Sequence, residues 1–324
     1  MAAHRTRRAW VVSDGAAGNE NQALALASAL AGEVEVLRLA ARAPWRWAAP
    51  RFLPGAAQAF GPAFAARLRG PLPDLAVGCG RQAALATRLL REAGGGCRSV
   101  QILDPRIDPR RFDLVVAPEH DGLEGENVLS VRGGLNAIDD DWLAQARERF
   151  AALGGLPGPR LALLIGGPTR ALALDRACWE ALASAVDAQL SRSGGSVLVT
   201  GSRRTPAWLR DAARAAFANR PGRRWFGPED GENPYAGFLA WADALVVTPD
   251  SVNLLSEAAA TRAPVFTFAL QSPRGRIGRF VASLQEGGRV RRLGEEFGGD
   301  PVVPLRETAR VAAQIRARLG WEDA

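Results

Sequence analysis

The sequence predicts an α/β fold made of two doubly wound domains facing across a cleft, and three observations carry that prediction. Short apolar or β-branched runs alternate with Ala/Leu-rich stretches of helical length, the pattern of parallel strands joined by crossover helices. The series runs twice, with the Gly/Pro-dense segment AALGGLPGP at residues 151–159 between the two passes. At 324 residues and 47% hydrophobic content, the chain has the length and apolar surface for two cores. The expected organisation is an N-terminal domain over residues 1–152, a C-terminal domain over 160–305 and a terminal helix within 306–324.

In the first pass, residues 9–12 (AWVV) read as a buried strand, and a polar turn leads into a helix over 20–30. Residues 34–39 read as a second strand. DLAV at 74–77 is a strand followed by a helix over 82–91, and further strands fall at 100–103 and 114–117, with an edge strand at 128–131. Three aspartates at 139–141 open a helix running to Phe150, where negative charge complements the N-terminal dipole. In the second pass, LALLI at 161–165 is a strand ending in Gly166-Gly167, and Asp175 caps a helix over 176–190. A strand over 196–200 leads to Pro206 at a first helical position, where its missing N–H does no harm. Strands at 244–247 and 264–268 flank a helix over 252–261, and residues 308–319 form the terminal helix.

Several function classes drop out at this level. No apolar run approaches the roughly 18 residues of a membrane span. The apolar stretch after the basic start is cut off at Ser13-Asp14-Gly15, too short for a signal-peptide core. Cys79, Cys97 and Cys178 are far apart, and only His4 and His120 accompany them, which argues against a structural zinc site and for a reduced cytosolic protein. The net charge of +7 invites a nucleic-acid reading. However, the chain has no lysine, its 41 basic residues are dispersed arginines, and no recognition helix stands out. A phosphate-bearing ligand or an anionic membrane surface fits the excess, because the guanidinium fork grips phosphate and carboxylate bidentately. No nucleic acid, metal or cofactor is expected.

The sharpest chemical constellation is TPDSVNLLSEA at residues 248–258. A buried strand ends, a polar turn with Asp250 follows, and a helix begins near Ser251, whose first N–H groups favour an anion. Asn253 and Glu257 are four residues apart on one face. Phosphates at the tip and ribose hydroxyls on the carboxylate would suit a nucleoside diphosphate; a plain capped helix is the alternative. Ser202, Arg203 and Arg204 follow the next strand end, where hydroxyl and guanidinium groups can hold phosphate oxygens. Gly166 and Gly167 follow another, where backbone amides can meet a ligand. Three such turns on successive strand ends converge where open α/β sheets bind ligands.

The first half has its own polar strand-to-helix turn, Ser13-Asp14-Gly15 through Asn19, Glu20 and Gln22, with Asp14 and Glu20 as the candidates for a general base. It is neither a dinucleotide fingerprint nor a Walker loop. A second glycine turn carries Arg81, and His120 lies just past a strand, where an imidazole titrates near neutrality. Asp139, Asp140 and Asp141 are read as dipole complements at a helix start, without a metal role. Trp45, Arg46, Trp47, Arg51, Phe52, Phe60, Phe64, Arg67 and Arg69 interleave aromatics with arginines. Such a segment either rests on a lipid surface or packs its aromatics as a helical hairpin into the first domain.

The motifs SDGAAGNENQ, GCGRQ, QILDPR, PEHDGLEGENVL, IGGPTR, TGSRRTP and VTPDSVNLLSEAAATRAPVF resemble those of the mitochondrial-fission Elm-type (elongated mitochondria) family, over nearly the whole chain. The second half is in turn similar to GT-B-fold glycosyltransferases. That resemblance implies diphosphate binding at the helix start and ribose binding by a helix glutamate, falling on Ser251, Asn253 and Glu257, with Gly166, Gly167 and Ser202 to Arg204 beside the phosphates. The usual Gly-Gly before the helix is Asp250-Ser251 here.

The expected function is metal-independent transfer of a sugar from a nucleotide-sugar donor to an envelope or lipid-linked acceptor. Asp14 takes the acceptor proton, with His120 as the other catalytic candidate. Ser13, Gly15, Asn19, Gln22 and Arg81 line the acceptor side. Two alternatives stand beside it: a non-catalytic adaptor that binds a fission-type partner or a membrane, and a nucleotide-sugar epimerase. The expected location is the cytoplasm, with a peripheral position on the inner membrane as the alternative.

Overall fold

A computed structural model describes residues 6–294 and 302–321; His4 lies outside the described residues. The chain divides into two compact units, one formed by residues up to Ala137 together with Glu307 onward, the other by Ile138–Arg306. Unit 1 contains β1 (Arg8–Ser13), α1 (Ala17–Leu30), β2 (Glu33–Arg38), α2 (Trp45–Ala48), α3 (Pro62–Arg67), β3 (Leu75–Cys79), α4 (Arg81–Glu92), β4 (Arg98–Ile102), β5 (Leu114–Pro118) and β6 (Val128–Val131). Unit 2 contains α5 (Asp140–Arg149), β7 (Arg160–Ile165), α6 (Arg176–Ser193), β8 (Ser196–Gly201), α7 (Ala207–Ala216), β9 (Gly222–Trp225), α8 (Tyr235–Trp241), β10 (Ala244–Val247), α9 (Val252–Ala259), β11 (Val265–Thr267), α10 (Gly275–Glu286) and β12 (Val290–Arg292). The last helix, α11 (Glu307–Leu319), returns to unit 1.

The unit 1 sheet is parallel with strand order β2-β1-β3-β4-β5-β6. Its order reverses at β1 and β3, so the switch point where ligands bind falls at the carboxyl ends of those two strands. Leu26 and Leu30 of α1 and Val311 and Ile315 of α11 cover one face, against Val11, Val77 and Val100. Leu85 and Leu89 of α4, with Phe64 of α3, cover the other against Trp10, Val12 and Ala76. Val311 and Ile315 are fully buried. At about 1.5–3 kcal/mol each, these two side chains alone tie the C-terminal helix to unit 1.

Unit 2 repeats the plan with order β12-β11-β10-β7-β8-β9, again parallel, and its switch point lies between β7 and β10. Strands β7, β8 and β10 are buried almost throughout, which is why they read as unbroken apolar runs. The Gly/Pro stretch expected to link the domains belongs to unit 2. Residues Ala151–Gly155 form a 3-10 turn, and Leu143, Ala146 and Leu153 join the core around Phe238. A Cβ on Gly154 would stand 2.6 Å from the Trp241 ring, so the glycine there serves close packing. The amphipathic face of α5 thus decides the boundary, ahead of Ile138. Among the described residues, no helix is long and apolar enough to cross a membrane.

Candidate functional site

Three strand ends meet at the switch point of unit 2, because β10, β7 and β8 are neighbours. The turns after them are bound into one knot. The Gly166 N–H donates to Thr248 Oγ1 (2.7 Å) and the Gly167 N–H to Asp250 Oδ2 (3.0 Å). The Thr248 hydroxyl donates to Asp250 Oδ1 (2.7 Å), and Arg204 Nη2 donates to Oδ2 (2.9 Å). From the third turn, Thr205 accepts from the Ser202 N–H (2.8 Å) and donates to the Ile165 carbonyl (3.0 Å).

This knot corrects the expected roles of Gly166, Gly167 and Asp250. A Cβ on Gly166 would lie 2.1 Å from the Asp250 carboxylate oxygens, and one on Gly167 would lie 2.3 Å from the Arg204 carbonyl. The glycines are therefore required by packing, and their amides donate inside the fold rather than to a ligand. The Asp250 side chain has 0% exposure. Burial pushes its pKa up, opposed by the bonds from Gly167, Thr248 and Arg204. The groups left at the surface are Arg203, the half-exposed guanidinium of Arg204 and the half-buried Ser202, whose Oγ accepts from the Arg204 N–H (3.1 Å).

Helix α9 starts beside the knot. Ser251 is its N-cap and accepts from the Leu254 N–H (3.4 Å). Asn253 and Glu257 follow on one face, both half-buried, while Leu255, Ala258 and Ala259 enter the core. The Tyr235 hydroxyl, on α8, donates to Glu257 Oε2. Burial raises the Glu257 pKa, and the Tyr235 bond acts the other way. Burial and the adjacent carboxylate push the Tyr235 phenol well above its usual value. At the other end of α9, the buried Arg289 donates to the carbonyls of Ala259 (2.9 Å), Ala258 (3.1 Å) and Thr261 (2.8 Å). A cation there complements the helix dipole and fixes the helix axis. Desolvation lowers its pKa to about 10, so it stays charged at neutral pH.

Next to the knot, a cavity of about 340 Å³ opens at the carboxyl ends of β10–β12, between Pro249, Phe268, Pro273 and Arg292. That volume falls in the range of small-molecule sites. A second cavity, about 390 Å³, lies at the opposite edge of the sheet beside Asp243 and Pro264. There Asp139 caps α5 by accepting from the Trp142 N–H (2.8 Å), while Arg262 (2.9 Å) and Arg306 (2.7 Å) both grip Asp140. The two guanidinium groups hold the Asp140 carboxyl well below the usual range.

In unit 1 the carboxyl ends of β1 and β3 carry the polar turns that the sequence singles out. Ser13 is buried and accepts from the Gly15 N–H (3.0 Å); Gly15 has φ +83°. Asp14 is exposed and accepts from the Ala16 N–H (3.1 Å). The Asn19 amide packs under Gly80, where a Cβ would meet its Nδ2 at 2.8 Å. Arg81 Nη1 donates to the carbonyls of Trp47 (3.2 Å) and Ala49 (3.3 Å). Two expectations change. Glu20 is engaged on both oxygens by Arg38, which lowers its pKa and removes it as a base. Gln22 is 6% exposed, and its Oε1 accepts from the Leu135 N–H (3.2 Å), a fold contact rather than an acceptor contact.

His120 sits in the 3-10 turn after β5, three strand spacings from β1. That is about 14 Å across the sheet, so Asp14 and His120 form no hydrogen-bonded pair. The three cysteines are buried and unpaired, and burial pushes the Cys97 thiol up to about 12, which leaves it inert.

Most aromatics of the arginine-rich segment pack inward. Phe64 is buried with Phe60 edge-on at 5.2 Å, and Trp45 Nε1 donates to the Pro54 carbonyl (3.1 Å). Trp47 is the exception, at 68% exposure beside Arg46. Residues 39–73 contain five arginines and no acidic residue. Arg67 pairs with Glu35 (2.7 Å), while Arg42, Arg46, Arg51 and Arg69 are exposed and have no carboxylate partner among the described residues.

Two Rossmann-like α/β units, each with its switch point at a polar strand-end turn, define the GT-B type of fold. UDP-GlcNAc 2-epimerase from Methanocaldococcus jannaschii superposes with a TM-score of 0.57 at 11% identity, over 96% of this chain and 99% of that one. The Staphylococcus aureus MnaA–UDP structure superposes with a TM-score of 0.50 at 12% identity, over 97% and 90%. The chain belongs to the mitochondrial fission ELM1 family, whose profile matches residues 17–319. Mitochondrial fission protein ELM1 of Arabidopsis thaliana is 33% identical over 287 residues, 78% of this chain and 65% of that protein, so the chain spans less than two thirds of that relative. An uncharacterized protein of Rickettsia prowazekii is 24% identical over 302 residues, 80% of this chain and 82% of the relative.

The structure thus brings together Ser202, Arg203, Arg204, Ser251, Asn253 and Glu257 around one strand-end cluster, and Ser13, Asp14, Gly15, Asn19 and Arg81 around another. Tyr235 escaped sequence reasoning. It lies 22 residues before Glu257 on a different helix, and its only mark in the sequence is that it is the sole tyrosine.

Proposed function

We propose that unit 2 binds a nucleotide sugar at the carboxyl edge of its sheet and that the chain transfers the sugar to a lipid-linked or envelope acceptor. The observation that carries this reading is Glu257, a half-buried carboxylate whose pKa burial raises, with one neutral donor, Tyr235, and no cationic partner among the described residues. A carboxylate so placed costs stability unless a ligand uses it. Its free oxygen suits ribose hydroxyls. The α9 N-terminus and Arg203 suit the diphosphate and stabilise the charge that develops as it leaves, an effect of a few kcal/mol per good donor. On this reading the peptide dipole and guanidinium groups carry the charge-stabilising role; Asp139 caps α5 and Asp140 is held by Arg262 and Arg306. Asp14, exposed at the β1 end, is the proposed base on the acceptor side.

The same GT-B type of fold in the solved complex of the archaeal epimerase holds UDP-GlcNAc and UDP, which supports a nucleotide ligand here. The exposed Trp47 with Arg42, Arg46 and Arg51 supports docking on an anionic lipid surface, where an indole sits at the headgroup level. Calorimetry with UDP, GDP, CMP and ADP tests the core of the reading: micromolar binding of one of them is expected, and binding of none would leave the adaptor reading, which the family name leaves open. Turnover of a nucleotide sugar without any acceptor would instead identify an epimerase.

A further inference from the structure

Two loops at the carboxyl edge of unit 2, residues 166–174 after β7 and 268–274 after β11, are tied where the Arg274 N–H donates to the Ala171 carbonyl (2.9 Å). Between them opens a pocket of about 190 Å³, walled by Thr169, Arg170, Gln271, Ser272 and Arg274. That is the volume of roughly six water molecules. It is too small for a whole nucleotide and right for one acidic group on a sugar ring.

Both guanidinium groups are exposed, and neither has a carboxylate partner among the described residues. Several arginines elsewhere in the chain are matched by acids, as at Arg38–Glu20, Arg67–Glu35, Arg214–Asp230 and Arg306–Asp140. Here they are withheld. The two loops and the 201–206 turn contain no Asp or Glu. The flanking Asp175 is engaged as the α6 cap, accepting from the Cys178 N–H (2.9 Å), and Asp250 is buried against Arg204. Two like charges on the walls of one small pocket repel each other unless an anion lies between them, and the guanidinium fork prefers a carboxylate or phosphate. On the nucleotide-sugar reading the α9 N-terminus and Arg203 take the diphosphate, so this further positive charge calls for a further negative group on the ligand.

We infer that Arg170 and Arg274 form an anion subsite that receives a carboxylate or phosphate carried by the sugar of the donor, making the substrate class an acidic nucleotide sugar. The inference rests on the nucleotide-sugar reading of the same unit. The test is calorimetry on the full chain with UDP-glucose and UDP-glucuronate as a matched pair, repeated on R170Q and R274Q. At least tenfold tighter binding of the uronate is expected in the unsubstituted protein, collapsing to near-equality in each variant whose melting temperature is retained. Equal affinity for the pair, or a preference that survives both substitutions, overturns the subsite and leaves the nucleotide reading standing. Should UDP itself not bind, that reading fails separately, and the subsite is then judged with glucuronate and inorganic phosphate alone. Thermal stabilisation by either that R170Q and R274Q abolish upholds it, with the more effective of the two telling a carboxylate source from a phosphate source; no stabilisation overturns it.

Discussion

Replacing Glu257 with Gln tests the central claim most directly, because it keeps shape and removes charge. The amide still accepts the Tyr235 hydroxyl bond, so the fold keeps its local contact. Hydrogen bonds from ligand hydroxyls to a charged acceptor contribute about 1.5–3 kcal/mol. One lost ribose contact therefore weakens nucleotide binding by roughly 10- to 150-fold. Stability moves the other way. Burial raises the Glu257 pKa in the folded state, so the folded protein favours the neutral form more than the unfolded chain does. The destabilisation from ionising this group begins above the ordinary carboxylate pKa and is complete once the pH passes the raised folded value. At pH 8, E257Q should unfold at equal or higher denaturant than the parent, while near pH 4 the two should converge. Calorimetry with the tightest nucleotide and urea unfolding at both pH values read the two arms. A variant that binds nucleotide within threefold of the parent would refute the ribose assignment, and one that is strongly destabilised at pH 8 would show that the carboxylate serves the fold.

Further outcomes follow from single contacts. Gly166→Ala drives a Cβ into the Asp250 carboxylate at 2.1 Å and should cost about 1–3 kcal/mol of unfolding free energy; Gly155→Ala, with nothing within 4 Å, should stay within about 0.5 kcal/mol. Arg203→Gln should weaken diphosphate binding without moving the melting temperature. Arg204→Gln should lower the melting temperature as well, because it unpairs the buried Asp250. Trp47→Ser should leave urea unfolding unchanged and abolish sedimentation with anionic vesicles; unaltered sedimentation would remove the lipid-docking proposal. Asp140→Asn should remove the part of the acid-limb stability that disappears as the pH falls below the ordinary carboxylate range, since Arg306 and Arg262 hold that carboxyl low only in the folded chain, and melting curves from pH 2 to 5 would read it.

What could be read from the sequence divides along physical lines. Buried central strands such as β7, β8 and β10 were legible because burial on both faces leaves unbroken apolar runs. The edge strands β9 (GRRW) and β12 (VRR) were not, because one side faces no neighbour and charged residues are tolerated there. Helix α10 carries Ile277, Phe280, Val281 and Leu284 at helical spacing, but its opening glycine and arginines masked the stripe. The domain boundary was misplaced because Gly154 and Gly155 look like linker residues, whereas one of them lets Trp241 approach the backbone. In the site, the convergence of three turns was legible from strand-end position alone. Which polar groups face the ligand and which face each other was not, since Asp250 and Glu257 are both acids near one helix start and differ only in partners from other elements.

Those two carboxylates show how the site separates structure from function. Asp250 receives an amide, a hydroxyl and a guanidinium, and its side chain is sealed from solvent. The amide and the guanidinium tie this turn to those after β7 and β8, and the hydroxyl bond closes the turn itself, so its charge is satisfied by the fold and positions the start of α9 through the Thr248–Ser251 turn. Glu257, seven residues on, is half-buried and receives a single hydroxyl bond from Tyr235, and burial raises its pKa. Arg289 holds the far end of the same helix through three carbonyls, while Leu255 and Ala258 anchor its other face in the core. A fold that needed only to be stable would place an apolar side chain or an amide at that position. The helix is instead fixed at both ends, with an under-satisfied acid on the edge it shares with Asn253, and that arrangement has a physical rationale when a polyhydroxylated ligand completes it.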